Sequence, residues 1–426
     1  MIKIMKYNEV SNEDIFIRST STSGVSATVS EIIDNVRNNG DSALKEYTEK
    51  FDKVSLDSLI VSDEEMEEAL TLVEPEFLGV LERAAANIRA FHEKQVREGF
   101  EIRHEDGTVI GQKITPVDKA GLYVPGGTAA YPSTVLMDSI PAKIAGVPEV
   151  VMTTPPGKDG KVNPAILAAA KVAGVGRIFK VGGAQAIAAL AYGTETIPKV
   201  DKIVGPGNAF VAEAKRQVYG QVSIDMIAGP SEILVVSDGK SNPAFVAADM
   251  LSQAEHDKMA SAVLVTDSEE LAARVSEEIE KQIPLLDRHE IARCSIDTNG
   301  KIIIADDLNT VIEIANEIAP EHLELCVDDP FEYLGKVRHA GSIFMGRMCP
   351  EALGDYFAGP NHTLPTSGTA KFSNPLSVDD FVKKTQFTYY TQDALSKVAD
   401  DIATFANKEG LTGHAKSVLI RFEGQD

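Results

Sequence analysis

Only eight histidines occur in the 426 residues, so each can be weighed. Gln253 and His256, within Ser252-Gln253-Ala254-Glu255-His256-Asp257, are three apart. On a helix both project from one face and could bind the same ion. Glu321 and His322, within Ala319-Pro320-Glu321-His322-Leu323, set a carboxyl beside an imidazole where a helical pattern stops. That pairing suits proton transfer near neutral pH. Gly354-Asp355-Tyr356 and Gly359-Pro360-Asn361-His362 offer a further acid and imidazole in a glycine-rich stretch, and Gly410-Leu411-Thr412-Gly413-His414 sets one more histidine near the C-terminus. Taken singly, each is more ordinarily a surface histidine or one that complements a helix C-terminus. Spacing alone does not bring them together. His92, His104, His289 and His339 stand in charged or helical contexts and read as surface residues.

Three glycine-rich turns form a second group: Gly121-Leu122-Tyr123-Val124-Pro125-Gly126-Gly127-Thr128, Val181-Gly182-Gly183-Ala184-Gln185 and Gly205-Pro206-Gly207-Asn208. Each follows or ends an apolar run, and the last two open helices. Glycine lets the backbone approach a ligand, and a helix N-terminus offers unbonded N–H groups to phosphate. None is a Gly-x-Gly-x-x-Gly fingerprint, so each alone reads as a tight strand–helix turn. Cys326, in Leu323-Glu324-Leu325-Cys326, offers a nucleophile for an aldehyde carbonyl. Its alternating apolar setting favours a buried strand cysteine instead.

Such residues need a scaffold, and from about Pro116 the sequence has the rhythm of one. Strand patterns at Glu149–Thr153, Arg177–Val181, Lys202–Val204, Glu232–Ser237, Ala262–Thr266 and Lys301–Ala305 alternate with helical patterns at Pro164–Ala173, Ala184–Tyr192, Ala209–Val218, Pro243–Ala254 and Glu269–Gln282. This alternation predicts an α/β fold of parallel sheets with helices on both faces. One sheet does not easily hold so many strands, so two Rossmann-like domains are expected, with a break near Ala228-Gly229-Pro230. The expected division is an N-terminal arm over 1–20 and a discontinuous first domain over 21–122 and 232–374 that carries the acids and histidines. A second domain over 123–231 carries the glycine turns, and a mostly helical tail covers 375–426. Upstream, residues 30–51 suit two short helices broken at Asn38-Asn39-Gly40, and Ser62-Asp63-Glu64-Glu65 resembles a helix start.

A formal net charge of -23 repels phosphate backbones, so nucleic acid is not expected as a partner. The three cysteines, without a Cys-x-x-Cys pair, provide no disulfide framework and no thiolate zinc site. Met1–Val10 has no apolar core of signal-peptide length, and no apolar window is long enough to span a membrane. A cytoplasmic location is expected.

Together these segments resemble the histidinol dehydrogenase family, from about Arg37 to Arg421. The stretches that carry the likeness are Gly121–Thr128, Gly205–Lys215, Ile227–Val235, Leu251–Asp257, Ala319–Leu325, Gly354–Thr366 and Leu411–Leu419. The resemblance implies a zinc enzyme, with one Zn2+ per subunit, that oxidises L-histidinol through the aldehyde to L-histidine with two NAD+. It implies Gln253, His256, Asp355 and His414 as metal ligands, the last from the partner in a homodimer whose tail crosses between subunits. Ser231, Glu321, His322, His362 and Glu409 match substrate-contacting or catalytic positions, and the metal ligands contact substrate as well. Tyr123, Gln185 and Asn208 match positions around the nucleotide.

The chemistry of these residue types agrees with that implication. Two histidines, an aspartate and a glutamine make a mixed nitrogen and oxygen set suited to zinc and tolerant of other divalent ions. His322 is the natural general base for the hydroxyl proton, and Glu321 is placed to act on the water that adds to the aldehyde. A sister zinc dehydrogenase acting on a sulfonated propanediol would call for Arg or Lys where Glu409 offers an acceptor to an imidazole N–H. Two other classes stand as rivals: a non-catalytic nucleotide-binding α/β protein, and a cysteine-based aldehyde dehydrogenase resting on Cys326 alone.

Overall fold

In a computed structural model, the residues described are 1–11, 15, 24–126 and 131–423. Strand β1 (Lys3–Lys6) is followed along the chain by helices α1 (Ser26–Tyr47), α2 (Asp63–Thr71) and α3 (Pro75–His92), then by strands β2 (Phe100–Arg103) and β3 (Val109–Pro116). Next come β4 (Lys119–Tyr123), α4 (Pro132–Ile144), β5 (Glu149–Thr154), α5 (Pro164–Ala173), β6 (Arg177–Lys180), α6 (Gly183–Tyr192), β7 (Lys202–Val204), α7 (Ala209–Val218) and β8 (Ser223–Ile224). The rhythm resumes with β9 (Glu232–Ser237), α8 (Pro243–Ala254), β10 (Ser261–Thr266), α9 (Glu269–Gln282), α10 (His289–Asn299), β11 (Lys301–Ile304), α11 (Leu308–Ile318), β12 (His322–Cys326), α12 (Pro330–Leu334), β13 (Ser342–Met345) and α13 (Glu351–Tyr356). Strand β14 (Val382–Tyr389) and helices α14 (Gln392–Ser396), α15 (Ala399–Lys408) and α16 (Thr412–Leu419) complete it.

Two compact units emerge, Met1–Gln95 with Val117–Phe381, and Val96–Pro116 with Val382–Asp426. The larger holds two parallel sheets, one ordered β6-β5-β4-β7-β8 and the other β1-β11-β10-β9-β12-β13. Without β1 the orders are the same: third, second, first, fourth and fifth strand, the doubly wound arrangement. Residues 233–236 of β9 are all buried, Ile233, Leu234, Val235 and Val236 alike. Continuous apolar strands of this kind belong to sheets covered on both faces. The expected α/β fold of helix-covered parallel sheets is the one observed.

Three expectations about its organisation change. Of the arm expected over 1–20, Lys3–Lys6 form β1, which pairs in parallel with β11 through Lys3↔Lys301 to Lys6↔Ile304, while 12–14 and 16–20 lie outside the described residues. The boundary between 122 and 123 falls inside β4, which pairs with β5 and β7, so that sheet starts at Lys119. Helices α1 to α3 do not join the 232–374 region. Val29, Ile32 and Leu44 of α1 share a core with Phe179 and Ile187, and Leu81 and Ile88 of α3 share one with Leu122 and Met152. Those helices therefore cover the five-stranded sheet. The break expected at Asn38-Asn39-Gly40 is present: α1 is two helices joined across a kink at Gly40, where φ is 51° and ψ -131°, a conformation glycine adopts without penalty.

The start foreseen at Ser62 is present: its side chain accepts from the Glu65 N–H, and three acids fill the first turn beside the positive end of the helix dipole. In the smaller unit β14 lies antiparallel to β3, which also pairs with β2. The tail is thus helical as expected from α14 onward, but a strand precedes those helices.

Candidate active site

The titratable residues gather at the amino edge of the six-stranded sheet. His322 begins β12, paired in register with Ile233 of β9, and Glu232 begins β9 one residue before. The His322 ring is held by Nδ1, which donates to the Glu232 carbonyl at 2.9 Å. A carbonyl only accepts, so Nδ1 carries the proton and Nε2 keeps its lone pair. That Nε2 is buried without a hydrogen-bond partner. It faces Glu351 Oε1 at 3.8 Å and Asp355 Oδ1 at 3.9 Å. One turn of α13 separates those two acids, which puts both on one helical face. His322, Glu351 and Asp355 each offer a ligand atom, all within 4.8 Å of one another.

Helix α8 ends at the same edge, where Gln253 Oε1 lies 3.2 Å from His256 Nδ1. Gln253 is fully buried, and its Nε2 also lacks a partner, as does Glu351 Oε1. Ser252 Oγ donates to the other Glu351 oxygen at 3.1 Å, and the Glu351 N–H donates to Glu324 at 2.8 Å. Glu321, just before β12, accepts from the Glu232 N–H at 2.9 Å. His362 Nδ1 meets the Asp355 carbonyl at 3.2 Å, and its Nε2 lies 3.4 Å from Thr134 Oγ1. A cavity of about 190 Å³ opens here, lined by His322, Phe344, Leu353, Asp355 and His362.

Burial sets the charge states. It pushes the Glu321 carboxyl far above the ordinary range, with Glu232, Asp355 and Glu351 adding repulsion, and raises Asp355 likewise. It lowers His322 and His256 and takes His362 down to about 4. For Glu351 burial opposes ionisation, but His322, Asp355, Gln253 and Ser252 outweigh it and its carboxyl falls below the usual value. The edge therefore holds neutral imidazoles among carboxyls, the state in which imidazole nitrogen can ligate or accept a proton.

The glycine turns after β6 and β7, and the first as far as Gly126, lie at the carboxyl edge of the five-stranded sheet; Gly127 and Thr128 lie outside the described residues. Tyr123 ends β4, and its hydroxyl accepts from the Gly183 N–H at 3.1 Å. Burial pushes its pKa up to about 12, so it stays protonated. Gln185 is buried in the first turn of α6. Asn208 caps α7, its Oδ1 accepting from the Phe210 and Val211 N–H groups. Tyr123 and Asn208 flank the place where chain direction across the sheet reverses, between β4 and β7, the usual ligand crevice of such sheets. The two edges are joined: Thr363 Oγ1 donates to Asp138 on α4 at 3.0 Å, and Asn361 Nδ2 donates to the Met137 carbonyl at 2.6 Å.

With this geometry in hand, comparison with known proteins becomes informative. The model of the family described as histidinol dehydrogenase matches residues 17–422. The chain belongs to the histidinol dehydrogenase family. A histidinol dehydrogenase from Clostridium acetobutylicum is 59% identical over 396 residues, 93% of this chain and 92% of that protein. One from Geobacillus kaustophilus is 54% identical over 412 residues, 96% of this chain and 97% of that one. The crystal structure of histidinol dehydrogenase from Elizabethkingia anophelis aligns with a TM-score of 0.94 at 37% identity, covering 99% of this chain and 98% of that chain. Membership in the histidinol dehydrogenase family makes the chain an oxidoreductase of histidine biosynthesis.

Of the site residues expected from sequence, Gln253, His256, Glu321, His322, Asp355 and His362 meet at one edge, and Ser231 directly precedes β9 there. Glu409 and His414 lie in the smaller unit, where both are exposed, at the end of α15 and on α16. Glu351 was missed, although an acid four residues before Asp355 is a visible helical pairing. His92 was misread: it is fully buried, with Nδ1 2.8 Å from the Ile88 carbonyl and Nε2 3.4 Å from Asn361. Cys326 is a buried strand residue at the far end of β12 from His322, and burial pushes its thiol up, away from the thiolate a nucleophile needs. Cys326→Ala is therefore expected to retain at least half of the parent's turnover, checked by steady-state rates; loss of turnover in a folded variant would revive the thiol reading.

Proposed function

We propose that this chain oxidises L-histidinol by way of L-histidinaldehyde to L-histidine, reducing two NAD+ and using one zinc ion per subunit. The observation that carries the reading is the pair of unpartnered, buried acceptor atoms at the amino edge, His322 Nε2 and Glu351 Oε1. A buried polar atom without a partner costs free energy unless something polar comes to meet it.

Gln253, His256 and Asp355 would hold the metal together with His414, supplied by the partner subunit of a homodimer. Their nitrogen and oxygen donors, with no thiolate among them, fit zinc and leave room for other divalent ions. Bound there, zinc would supply a template and a Lewis acid for the amino alcohol. His322 takes the hydroxyl proton on Nε2 while Glu232 keeps Nδ1 protonated and the ring fixed. Glu321, with its raised affinity for protons, takes one from the water that adds to the aldehyde. Glu351 sets negative charge beside the His322 nitrogen and so favours the imidazolium that forms. Tyr123, Gln185 and Asn208 would meet the nucleotide at the carboxyl edge, and Ser231, His362 and Glu409 the substrate.

A cytoplasmic enzyme without nucleic-acid or membrane partners fits the charge of -23, and among the described residues no helix is long and apolar enough to cross a membrane. The deciding assay follows NADH with limiting L-histidinol. Two NADH per histidinol support the reading. A folded, zinc-loaded protein that yields none would refute it and point to another small polyol.

A further inference from the structure

The turn Gly205-Pro206-Gly207-Asn208 is held from beneath by a buried ion pair to which neither the fold nor the chemistry above gives a part. Lys215 Nζ, from α7, pairs with Asp225, and their side chains are 2% and 1% exposed. Lys215 Nζ also donates to the Gly205 carbonyl at 2.9 Å, while the Gly205 N–H donates to Asp225 Oδ2 at 2.8 Å. One glycine thus has both backbone groups bound by the two halves of one ion pair, a closed ring of charge-assisted bonds. Only glycine fits: its φ is +120°, and a Cβ would stand 2.0 Å from the Tyr123 carbonyl oxygen and 3.0 Å from Asp138 Oδ2. Gly205 thus lies against the Tyr123 backbone and three residues before Asn208, the two residues that flank the crevice.

We propose that Lys215 and Asp225 are positioning residues for the nucleotide, fixing the Gly205–Asn208 turn so that Asn208 and Tyr123 present one binding geometry. The proposal rests on the reading that NAD+ occupies this crevice. General physics separates such a role from stabilisation. A buried ion pair loses its hydration, and replacing both partners by apolar residues of similar size is often neutral for folding, whereas removing one leaves a stranded charge. What the apolar pair does not replace is the grip on Gly205. On the far side of the turn Asp138 is bonded by Thr363, and burial, with the Asp225 charge beside it, holds its carboxyl far above the ordinary range.

The test is steady-state kinetics of the zinc-loaded enzyme with both residues changed, Lys215→Met with Asp225→Leu, beside Asn208→Ala and the parent. For the double variant we expect a melting temperature near the parent's and a KM for NAD+ raised about tenfold or more, the worth of roughly one well-made contact. The KM for L-histidinol and the zinc content should stay within about twofold of the parent's, because the amino edge of the other sheet is untouched. An unchanged KM for NAD+ overturns the proposal, as does an equal rise for both substrates. So does failure of the double variant to fold, since the pair would then support the domain and not the turn. Asn208→Ala separates the two readings: if it raises the KM for NAD+ and the double variant does not, only the positioning role falls. If neither moves it, the nucleotide is not in this crevice.

Discussion

Removal of the metal by a chelator is expected to lower NADH formation from L-histidinol by about a thousandfold or more, several kcal/mol of barrier at 1.36 kcal/mol per decade. The amino edge explains the size of the effect. His322 Nε2 and Glu351 Oε1 are buried without partners, and His322, Glu351 and Asp355 converge within 4.8 Å, so the groups are shaped around something that is polar and positive. Without it the amino alcohol loses the template that aims its carbinol carbon, and proximity alone is worth many kcal/mol in a well-aligned site. Far-ultraviolet dichroism should change little, because both sheets are built on apolar cores that no ligand residue completes. Adding zinc back should restore the rate, and manganese or cobalt should restore part of it. A chelated, demonstrably metal-free enzyme that still turns over at its former rate would remove the metal from the mechanism.

The second large effect is expected from His322→Asn, a loss of about 10²–10⁴ in kcat, the usual worth of a positioned general base. Zinc measured by atomic absorption should remain at the parent's level. That combination matters because the geometry alone permits two assignments. His322 Nε2 stands as close to Glu351 and Asp355 as a ligand would, while His256 stands beside Gln253. The Glu232 carbonyl fixes the proton on Nδ1 and leaves Nε2 as the acceptor in a buried, neutral ring, which serves a base and a ligand alike, so the zinc content is what separates them. If His322→Asn loses its zinc, His322 is a ligand and the base must be sought elsewhere. Asparagine is close enough in size to limit the cavity it leaves, so the fold should survive the change.

Much of this was legible in the sequence, for identifiable reasons. The central strands are buried on both faces, so β5, β9 and β10 stand out as apolar runs and the helices between them as alanine-rich stretches. Strands β1 and β14 did not stand out. Lys-Ile-Met-Lys and Val-Lys-Lys-Thr-Gln-Phe-Thr-Tyr are held mainly by backbone pairing, and their side chains are largely exposed. Among site residues, Gln253 with His256 and Glu321 with His322 announced themselves by adjacency along the chain. His362 meets the others only because the chain returns through β13 and α13, which no local pattern encodes. Lys215 and Asp225 were invisible for the opposite reason: a charged residue in a helix or after a strand ordinarily faces water, and burial is a property of the fold.

Strand β1 has a meaning beyond bookkeeping of the sheet. On its inner side it pairs with β11, whose residues 302–304 are three consecutive isoleucines. Left bare, that border would be a flat, sticky template with unpaired amides, the kind of surface that recruits other chains into aggregates. Four residues at the start of the protein, flanked by lysines at both ends, cap it and turn a polar margin outward. The opening of the chain, remote from every catalytic group, thereby acts as a guard of solubility.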